Sequence, residues 1–231
     1  MLQVKDLNIG YTQKEILSGL NFSIGKGELI GLVGSNGIGK STLLKTIIGS
    51  LKPLSGEINL DGRILQSISQ QELSKLISIV LTDKLGGFNL TVFDIVAAGR
   101  IPYLNAFGQL NEKDVEIVNH SLQTIGIKHI SQNYFDELSD GQKQKVLIAK
   151  SLAQQTPVIL MDEPTAFLDF ESRLQLFQLL KQLVKDQQKT VIISSHDLDV
   201  LFRNVDKVLY LKGNRDYHFE SASIIKKYFT E

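Results

Sequence analysis

Gly34-Ser35-Asn36-Gly37-Ile38-Gly39-Lys40-Ser41 is the stretch of sequence that decides the fold. It fits the phosphate-binding pattern G-x-x-x-x-G-K-[ST], and the apolar residues 28–33 precede it as a strand should. Residues 42–48 follow with the pattern of a helix, whose positive N-terminal end faces the loop. A chance glycine turn before a helix would not require this order of strand, loop and helix. The sequence therefore predicts a nucleotide-binding site.

The residue types in this loop each suit the binding of phosphate. Glycines let the backbone fold tightly around phosphate oxygens. Lys40 is predicted to neutralise the β- and γ-phosphates, and Ser41 to place its hydroxyl on Mg²⁺. The residues expected to contact the nucleotide here are Gly34, Ser35, Asn36, Gly37, Ile38, Gly39, Lys40, Ser41 and Thr42.

Length and composition set the outer limits of the interpretation. A chain of 231 residues suffices for one large α/β domain or two small ones. Its 25 Lys and Arg balance 25 Asp and Glu, so no overall field favours nucleic acid as a partner. The absence of Cys excludes thiol catalysis and cysteine metal sites. Because no apolar run approaches the roughly 18 residues that span a bilayer, we expect a soluble chain.

Hydrophobic patterning predicts a β-rich beginning, a helical insertion and a return to α/β structure. Alternation over residues 2–9 and 16–24 predicts antiparallel strands. Helical periodicity dominates from about residue 84 to 155, and the apolar runs 158–161 and 191–193 predict buried parallel strands. We therefore predict one domain over residues 1–231. Its fold is α/β, with a mostly parallel core sheet, an antiparallel N-terminal β region and an inserted helical subdomain.

Two carboxylates directly follow the apolar run Val158-Ile159-Leu160-Met161. Because open α/β sheets hold ligands at the carboxyl ends of their strands, Asp162 and Glu163 are expected beside the bound phosphates. Asp162 is predicted to hold Mg²⁺ through water. Glu163 is predicted to accept a proton from, or orient, the water that attacks the γ-phosphate. Without the phosphate loop upstream, a solvated strand end would explain these residues equally well.

A second small-residue stretch, Leu138-Ser139-Asp140-Gly141-Gln142, precedes the amphipathic segment 143–153. A helix start with free amide groups is an anion-binding surface. One nucleotide does not easily need two such surfaces. Taken alone, the stretch favours an ordinary helix cap made by Ser139 or Asp140.

Together, these motifs resemble those of the ATP-binding-cassette (ABC) ATPases along nearly the whole chain. Residues 138–142 look like the LSGGQ signature, which in this family lies between the phosphate loop and the strand that ends in Asp-Glu. Two such domains pair head to tail, so that the signature of one copy closes over ATP bound to the other. The resemblance implies that Ser139, Gly141 and Gln142 bind ATP held by a second copy of this chain.

Three further positions match motifs of that family. Tyr11 falls where the family stacks an aromatic ring on adenine, and residues 167–169 resemble the D-loop, which places Asp169 at the nucleotide. His196 resembles the switch histidine, which would contact the γ-phosphate and hold the attacking water beside Glu163. An aromatic at a strand end is an alternative for Tyr11, and a capping or surface role is one for His196.

The segment that begins at Gly99 resembles the helical subdomain of importers for iron-siderophores, haem and cobalamin. The matching residues are Gly99-Arg100-Ile101-Pro102-Tyr103, Phe107-Gly108-Gln109-Leu110 and Asp114. The resemblance implies membrane-spanning permease subunits that dock on this subdomain, with Phe88, Leu104 and Phe107 as candidate apolar contacts. It also implies a place on the cytoplasmic face of the inner or plasma membrane, and a substrate-binding protein as an indirect partner. Alternatively, these are loop and core residues common to any cassette ATPase.

Asp83 and Asp140 depart from the family pattern. Thr82-Asp83 stands where the family has glutamine, so Asp83 is expected at the Q-loop position, either on Mg²⁺ or turned away from the triphosphate. Asp140 replaces the second glycine of the signature. The arrangement of lower energy has Asp140 capping the helix and facing away, which leaves Ser139 and Gly141 for the nucleotide.

The motifs together predict an ATPase that uses ATP and Mg²⁺ to power an importer. A soluble ABC ATPase in assembly or regulation would carry the same motifs without a membrane partner. A P-loop kinase would explain residues 34–41 but would leave residues 138–142 and His196 without a role.

Overall fold

The computed structural model of the chain describes residues 1–12, 14–81, 89–105 and 107–229. The strands within these ranges are β1 (Leu2–Tyr11), β2 (Lys14–Ile24), β3 (Leu29–Gly34), β4 (Ser55–Leu60), β5 (Arg63–Ile64), β6 (Ile77–Val80), β7 (Val158–Met161), β8 (Thr190–Ser194), β9 (Lys207–Gly213) and β10 (Asp216–Ser221). The α-helices are α1 (Lys40–Ile47), α2 (Gln70–Leu73), α3 (Val92–Ala97), α4 (Glu112–Thr124), α5 (Asp140–Ala153), α6 (Phe170–Gln187), α7 (Leu198–Phe202) and α8 (Ala222–Lys226).

The N-terminal residues form an antiparallel sheet with the strand order β2-β1-β4-β5. β1 pairs with β2 on one side and with β4 on the other. Leu2, Val4, Leu7 and Ile9 of β1 are buried, as the alternating pattern predicts for strands that cover a core with one face. The prediction of antiparallel strands is confirmed, and β1 continues past Ile9 to Tyr11.

The larger sheet is parallel except at one edge, with the strand order β10-β9-β3-β8-β7-β6. Among the strands in the described part of the chain, β10 alone pairs with this sheet in the antiparallel direction, through the hairpin with β9. Every residue of β7 and β8 is buried. Alternate residues of β7 enter different clusters: Leu160 packs toward the small sheet and α1, and Ile159 packs toward α6. The mostly parallel core is thus confirmed, with buried layers on both faces.

The order of strands brings three strand ends together. β8 lies between β3 and β7, and all three run in the same direction. Their carboxyl ends therefore share one edge of the sheet, where open α/β folds place their ligands. The phosphate loop follows β3, Asp162 follows β7, and His196 follows β8.

The loop after β3 passes into α1 two residues earlier than the apolar pattern predicts. Gly39 has φ 119, a conformation that favours glycine, and α1 begins at Lys40 rather than Thr42. A Cβ atom on Gly39 would lie 2.7 Å from Cγ2 of Ile16. A glycine at this position lets the phosphate loop pack directly against β2.

The helices between β6 and β7 enclose a third hydrophobic cluster, which joins α3, α4 and α5. A buried ion pair holds this layer together, with Arg100 Nε 2.9 Å from Asp114 Oδ1. Arg100 also donates from Nη1 to the carbonyl of Ala153 at 2.8 Å. A Cβ atom on Gly99 would clash with the carbonyl oxygen of Lys150. Gly99 and Arg100 therefore fix their segment to the end of α5, and Asp114 links Arg100 to α4.

No helix in residues 1–12, 14–81, 89–105 and 107–229 combines the length and the apolar character that crossing a membrane requires.

Candidate functional site

The phosphate loop borders a pocket of about 370 Å³ at the shared edge of β3, β7 and β8. The described residues that line it are Asn36, Gly37, Gly39, Lys40, Ser41, Thr42, Glu163 and His196. Six of them belong to the loop and the start of α1, and two come from the ends of other strands. The fold thus brings both predicted catalytic side chains to the predicted phosphate site.

Lys40 extends along the inside of the loop that precedes it. Its Nζ donates to the carbonyl oxygens of Gly34 at 2.8 Å and Ser35 at 3.2 Å, and the residue is only 6% exposed. An ammonium group carries three N–H donors, so these bonds use two of them. Ile38 closes the same turn by donating its N–H to Ser35 at 3.3 Å. The charge of Lys40 is therefore fixed in place, close to the loop amides.

Asp162 and Glu163 differ in burial although they are neighbours in sequence. Asp162 is 6% exposed, and its N–H donates to the carbonyl of Val80 at 2.8 Å. Glu163 has a left-handed backbone conformation, with φ 50, and a side chain that is 28% exposed. This turn directs the Glu163 carboxylate into the pocket, where its Oε1 lies 2.6 Å from Nε2 of His196.

A buried serine, not singled out from the sequence, connects the two carboxylate residues. Ser194 ends β8 and is fully buried. Its hydroxyl donates to Oδ1 of Asp162 at 2.7 Å and accepts the backbone N–H of Glu163 at 2.8 Å. The available signal was a hydroxyl at the end of the apolar run 191–193. Its partners could not be read from the sequence because they are 32 and 31 residues away.

The loop that carries His196 is fixed by its neighbours. Asp197 caps α7 by accepting the N–H of Val200. Arg173 of α6 donates to Asp197 at 3.2 Å and, through Nε, to the carbonyl of Leu168 at 2.9 Å. One guanidinium group therefore joins the His196 loop to the residue just before Asp169.

The stretch 138–142 begins α5 with a capping box, in which Ser139 is the cap. The Ser139 hydroxyl accepts the N–H of Gln142, and the Gln142 side chain accepts the N–H of Ser139 at 3.0 Å. The expectation that Asp140 caps this helix is wrong. Ser139 has the extended backbone that a cap requires, whereas Asp140 is already the first helical residue. The helix also begins earlier than residue 143.

Gly141 has a steric requirement of its own. A Cβ atom at this position would lie 2.9 Å from the carbonyl oxygen of Phe167. The segment 167–169 therefore packs on the first turn of α5. Ser139, Gly141 and Gln142 are not among the described residues that line the phosphate pocket of their own chain.

Further residues predicted to contact the nucleotide are not among the described residues that line the pocket: Tyr11, Gly34, Ser35, Ile38 and Asp169. Asp169 caps α6, accepting the N–H of Ser172 at 2.7 Å and its hydroxyl at 3.1 Å. These bonds, the backbone bond first, lower the pKa of the Asp169 carboxyl. Tyr11 ends β1 opposite Lys14 and is 53% exposed, so its ring is accessible.

The remaining predicted residues are a candidate metal ligand and three candidate apolar contacts of the helical part. Asp83, the third candidate metal ligand, and Phe88 lie outside the described residues. Leu104 is half-buried, whereas Phe107 is 86% exposed.

The oxygen atoms at this edge of the sheet suit Mg²⁺. Ser41 brings a hydroxyl to the pocket, and Asp162 brings a carboxylate at the adjoining strand end. Mg²⁺ prefers hard oxygen ligands, commonly one or two protein groups together with substrate phosphates and water. The residues present therefore fit the ion that a bound nucleotide would bring.

Comparison with known sequences assigns this arrangement to a family. Residues 17–166 match the family described as ABC transporter. The chain is 36% identical over 211 residues to the iron(3+)-hydroxamate import ATP-binding protein of Bacillus subtilis, covering 91% of this chain and 78% of that protein. It is also 36% identical over 216 residues to the petrobactin import ATP-binding protein of Bacillus anthracis, covering 94% and 79%.

Solved structures agree with the fold. The chain is similar to cbiO1 from Clostridium perfringens, part of the ABC transporter complex cbiONQ, with a TM-score of 0.81, 31% identity and coverage of 100% of this chain and 90% of that one. It is also similar to a dimeric ATP-binding cassette in a post-hydrolysis state bound to ADP and phosphate, with a TM-score of 0.83, 27% identity and coverage of 96% and 99%.

Proposed function

The chain belongs to the ABC transporter family of ATPases, and on that premise we propose that it powers the import of an iron chelate through a membrane-spanning permease. Two relatives support the choice of cargo, because both are named for the import of iron chelates and both align with more than nine-tenths of the chain. The resemblance of the segment from Gly99 to Asp114 to siderophore, haem and cobalamin importers points the same way.

The phosphate pocket carries the chemical part of the proposal. Lys40 binds the β- and γ-phosphates, and the amides at the start of α1 surround them. Glu163 orients the attacking water or accepts its proton, and His196, whose Nε2 is 2.6 Å from Glu163 Oε1, contacts the γ-phosphate. Mg²⁺ held through Ser41 and Asp162 would offset the negative charge of the triphosphate. Asp83 is a further candidate for that ion.

The second anion-binding surface belongs, in this proposal, to a head-to-tail dimer. Ser139, Gly141 and Gln142 lie apart from the pocket of their own chain, which supports their use by a second copy. A structural relative at 27% identity forms a dimer with ADP and phosphate bound. Tyr11 would stack on adenine from the same chain, and Asp169 would lie at the boundary between the copies.

The helical part, about residues 84–155, is proposed as the docking site for permease subunits. Ile101 is 64% exposed and Phe107 is 86% exposed on this part of the molecule. Exposed apolar side chains of this kind are typical of contact surfaces. Such docking would hold the chain at the cytoplasmic face of the membrane, with a substrate-binding protein serving the permease from the other side.

The contact between Glu163 and His196 at the phosphate loop is the observation that carries the catalytic assignment, and Glu163→Gln tests it. The amide keeps the shape of the side chain but accepts a proton poorly. We expect ATP binding to be retained and phosphate release to be nearly abolished. Glu171→Gln, on the exposed start of α6, is the matched control and should hydrolyse ATP at the parental rate. Parental turnover by Glu163→Gln would remove Glu163 from the catalytic role.

Transport is tested separately from chemistry. The tagged chain should co-purify with a multispanning membrane protein from detergent-solubilised membranes of its source. Capture of soluble assembly factors without any such protein would favour the soluble ABC ATPase instead.

A further inference from the structure

We propose that Ser194 is a positioning residue for ATP hydrolysis, whose single hydroxyl sets the geometry of Asp162 and Glu163 together. This inference deepens the proposed function and rests on the roles given there to the two carboxylates. Ser194 itself is fully buried and does not line the phosphate pocket, so it acts through its neighbours.

The Ser194 hydroxyl accepts one hydrogen bond from Glu163 and donates another to Asp162. The backbone N–H of Glu163 donates to Oγ of Ser194 at 2.8 Å, and that hydroxyl donates to Oδ1 of Asp162 at 2.7 Å. A hydroxyl suits this place because it donates and accepts at the same time. Hydrogen bonds in such a chain polarise one another. The orientation of Asp162 and the backbone of Glu163 are therefore coupled.

The backbone of Glu163 needs this support. Its φ of 50 lies in the left-handed region, which is unfavourable for a residue with a Cβ atom. Such conformations persist where surrounding contacts over-determine them. The bond from the Glu163 N–H to Ser194 is one such contact, and the Glu163 carbonyl, which accepts the N–H of Ala166 at 3.1 Å, provides another. Losing the hydroxyl frees the turn that directs Glu163 toward His196.

The same bond constrains the metal side of the site. With Oδ1 of Asp162 engaged by Ser194, the orientation of the carboxylate relative to Ser41 and the phosphate loop is set. Removing a residue that hydrogen-bonds to a metal-binding side chain commonly lowers metal affinity or activity about 10- to 100-fold. Ser194 should therefore affect both the divalent ion and the hydrolysis step.

A comparison with another buried serine separates positioning from simple stability. Ser78 of β6 is also buried, and its hydroxyl contacts those of Ser151 at 2.7 Å and Thr156 at 2.9 Å. Ser78→Ala removes a buried hydroxyl from the same sheet without touching either carboxylate residue. It is therefore the matched control for Ser194→Ala.

The experiment compares Ser194→Ala, Ser194→Thr and Ser78→Ala with the parent. Equilibrium binding of a fluorescent ATP analogue is titrated with Mg²⁺, and phosphate release is measured separately at saturating Mg²⁺. For Ser194→Ala we expect the Mg²⁺ midpoint of binding to rise, and kcat to fall, about 10- to 100-fold. Ser78→Ala should show the parental midpoint and kcat, and Ser194→Thr should recover both because it keeps the hydroxyl.

Thermal unfolding of each variant without nucleotide identifies any loss of folding. Should the extra methyl group of Ser194→Thr prevent folding, the comparison of Ser194→Ala with Ser78→Ala decides alone. Parental Mg²⁺ dependence in folded Ser194→Ala, or equal losses in both alanine variants, would overturn the inference. Parental turnover by Glu163→Gln in the same assay would instead overturn the proposed function.

Discussion

At the scale of single residues, Lys40 is notable because its positive charge is held in a defined position. Its ammonium group is bonded to two carbonyl oxygens of its own loop, and the side chain is almost fully buried. A positive charge held in a defined place needs little rearrangement when an anion binds. The loop therefore contributes a fixed charge rather than a mobile surface lysine.

Lys40→Ala should weaken ATP binding about 10- to 100-fold, the equivalent of one lost hydrogen bond between charged groups. Equilibrium titration with a fluorescent ATP analogue measures this loss directly, whether or not hydrolysis occurs. Lys45→Ala, in the last turn of the same helix, is the control and should bind with parental affinity. Unchanged affinity in Lys40→Ala would contradict the role given to its charge.

The candidate site was predictable from sequence as far as its residues form continuous motifs. The phosphate loop, the pair Asp162-Glu163 and His196 each follow a strand of recognisable pattern, and the structure brings Lys40, Glu163 and His196 to one pocket. Contacts across strands were not predictable in this way. The bond from Ser194 to Asp162 depends on β8 lying beside β7, which no local pattern encodes.

At the scale of elements, helix boundaries were the least predictable feature. Apolar periodicity cannot locate the first residue of α1 or of α5, because both helices begin with residues that are not apolar. The cap of α5 is Ser139 rather than Asp140. Ser139 has the extended backbone that lets its side chain accept the N–H of Gln142, whereas Asp140 is already helical. By contrast, the buried strands β7 and β8 lie where continuous apolar runs predict them.

Helix α5 also carries a lysine whose charge is costly. Lys150 lines a cavity together with Ile48, just after α1, and Ile77 and Ile79 of β6, and burial lowers the pKa of its ammonium group below the usual 10.5. The unfolded chain therefore binds more protons at this position between the lowered pKa and 10.5. Stability attributable to Lys150 should rise with pH across that interval.

Lys150→Met removes the buried charge and should raise the melting temperature at pH 7.5. The gain should shrink as the pH rises from the lowered pKa toward 10.5, because Lys150 of the folded parent is then neutral and the unfolded chain loses its own proton at this position only near 10.5. Differential scanning calorimetry of both proteins from pH 7.5 to 10.5 provides the measurement. A difference in melting temperature that does not change with pH would mean that packing of the methionine, rather than charge, is responsible.

At the scale of the whole molecule, the stretch 138–142 is not among the described residues that line the phosphate pocket of its own chain. In the proposed head-to-tail arrangement, each copy would complete the other's site. Ser139→Arg tests the arrangement, because a long cation at the start of α5 would occupy the γ-phosphate position of the partner. Losing the Ser139 cap should cost only about 0.5–2 kcal/mol, so the variant should still fold.

Ser139→Arg alone should release almost no phosphate, while its urea unfolding midpoint stays close to that of the parent. Mixed with Lys40→Ala, it should regain part of the activity, since a mixed dimer contains one intact composite site. Phosphate release by each variant and by the mixture gives the answer. Full activity of Ser139→Arg by itself would show that the two surfaces do not form a shared site.

The guanidinium group of Arg173 links two segments, residues 167–169 and the loop that carries His196. On one side of Arg173, the carbonyl oxygen of Phe167 lies close to Gly141 at the start of α5. On the other side, Asp197 belongs to the loop that carries His196. In the proposed head-to-tail dimer, a displacement of the start of α5 by the second copy would therefore reach the His196 loop of the same chain. The two ATP sites of such a dimer would be coupled. Hydrolysis at one site would then change the position of His196 at the other.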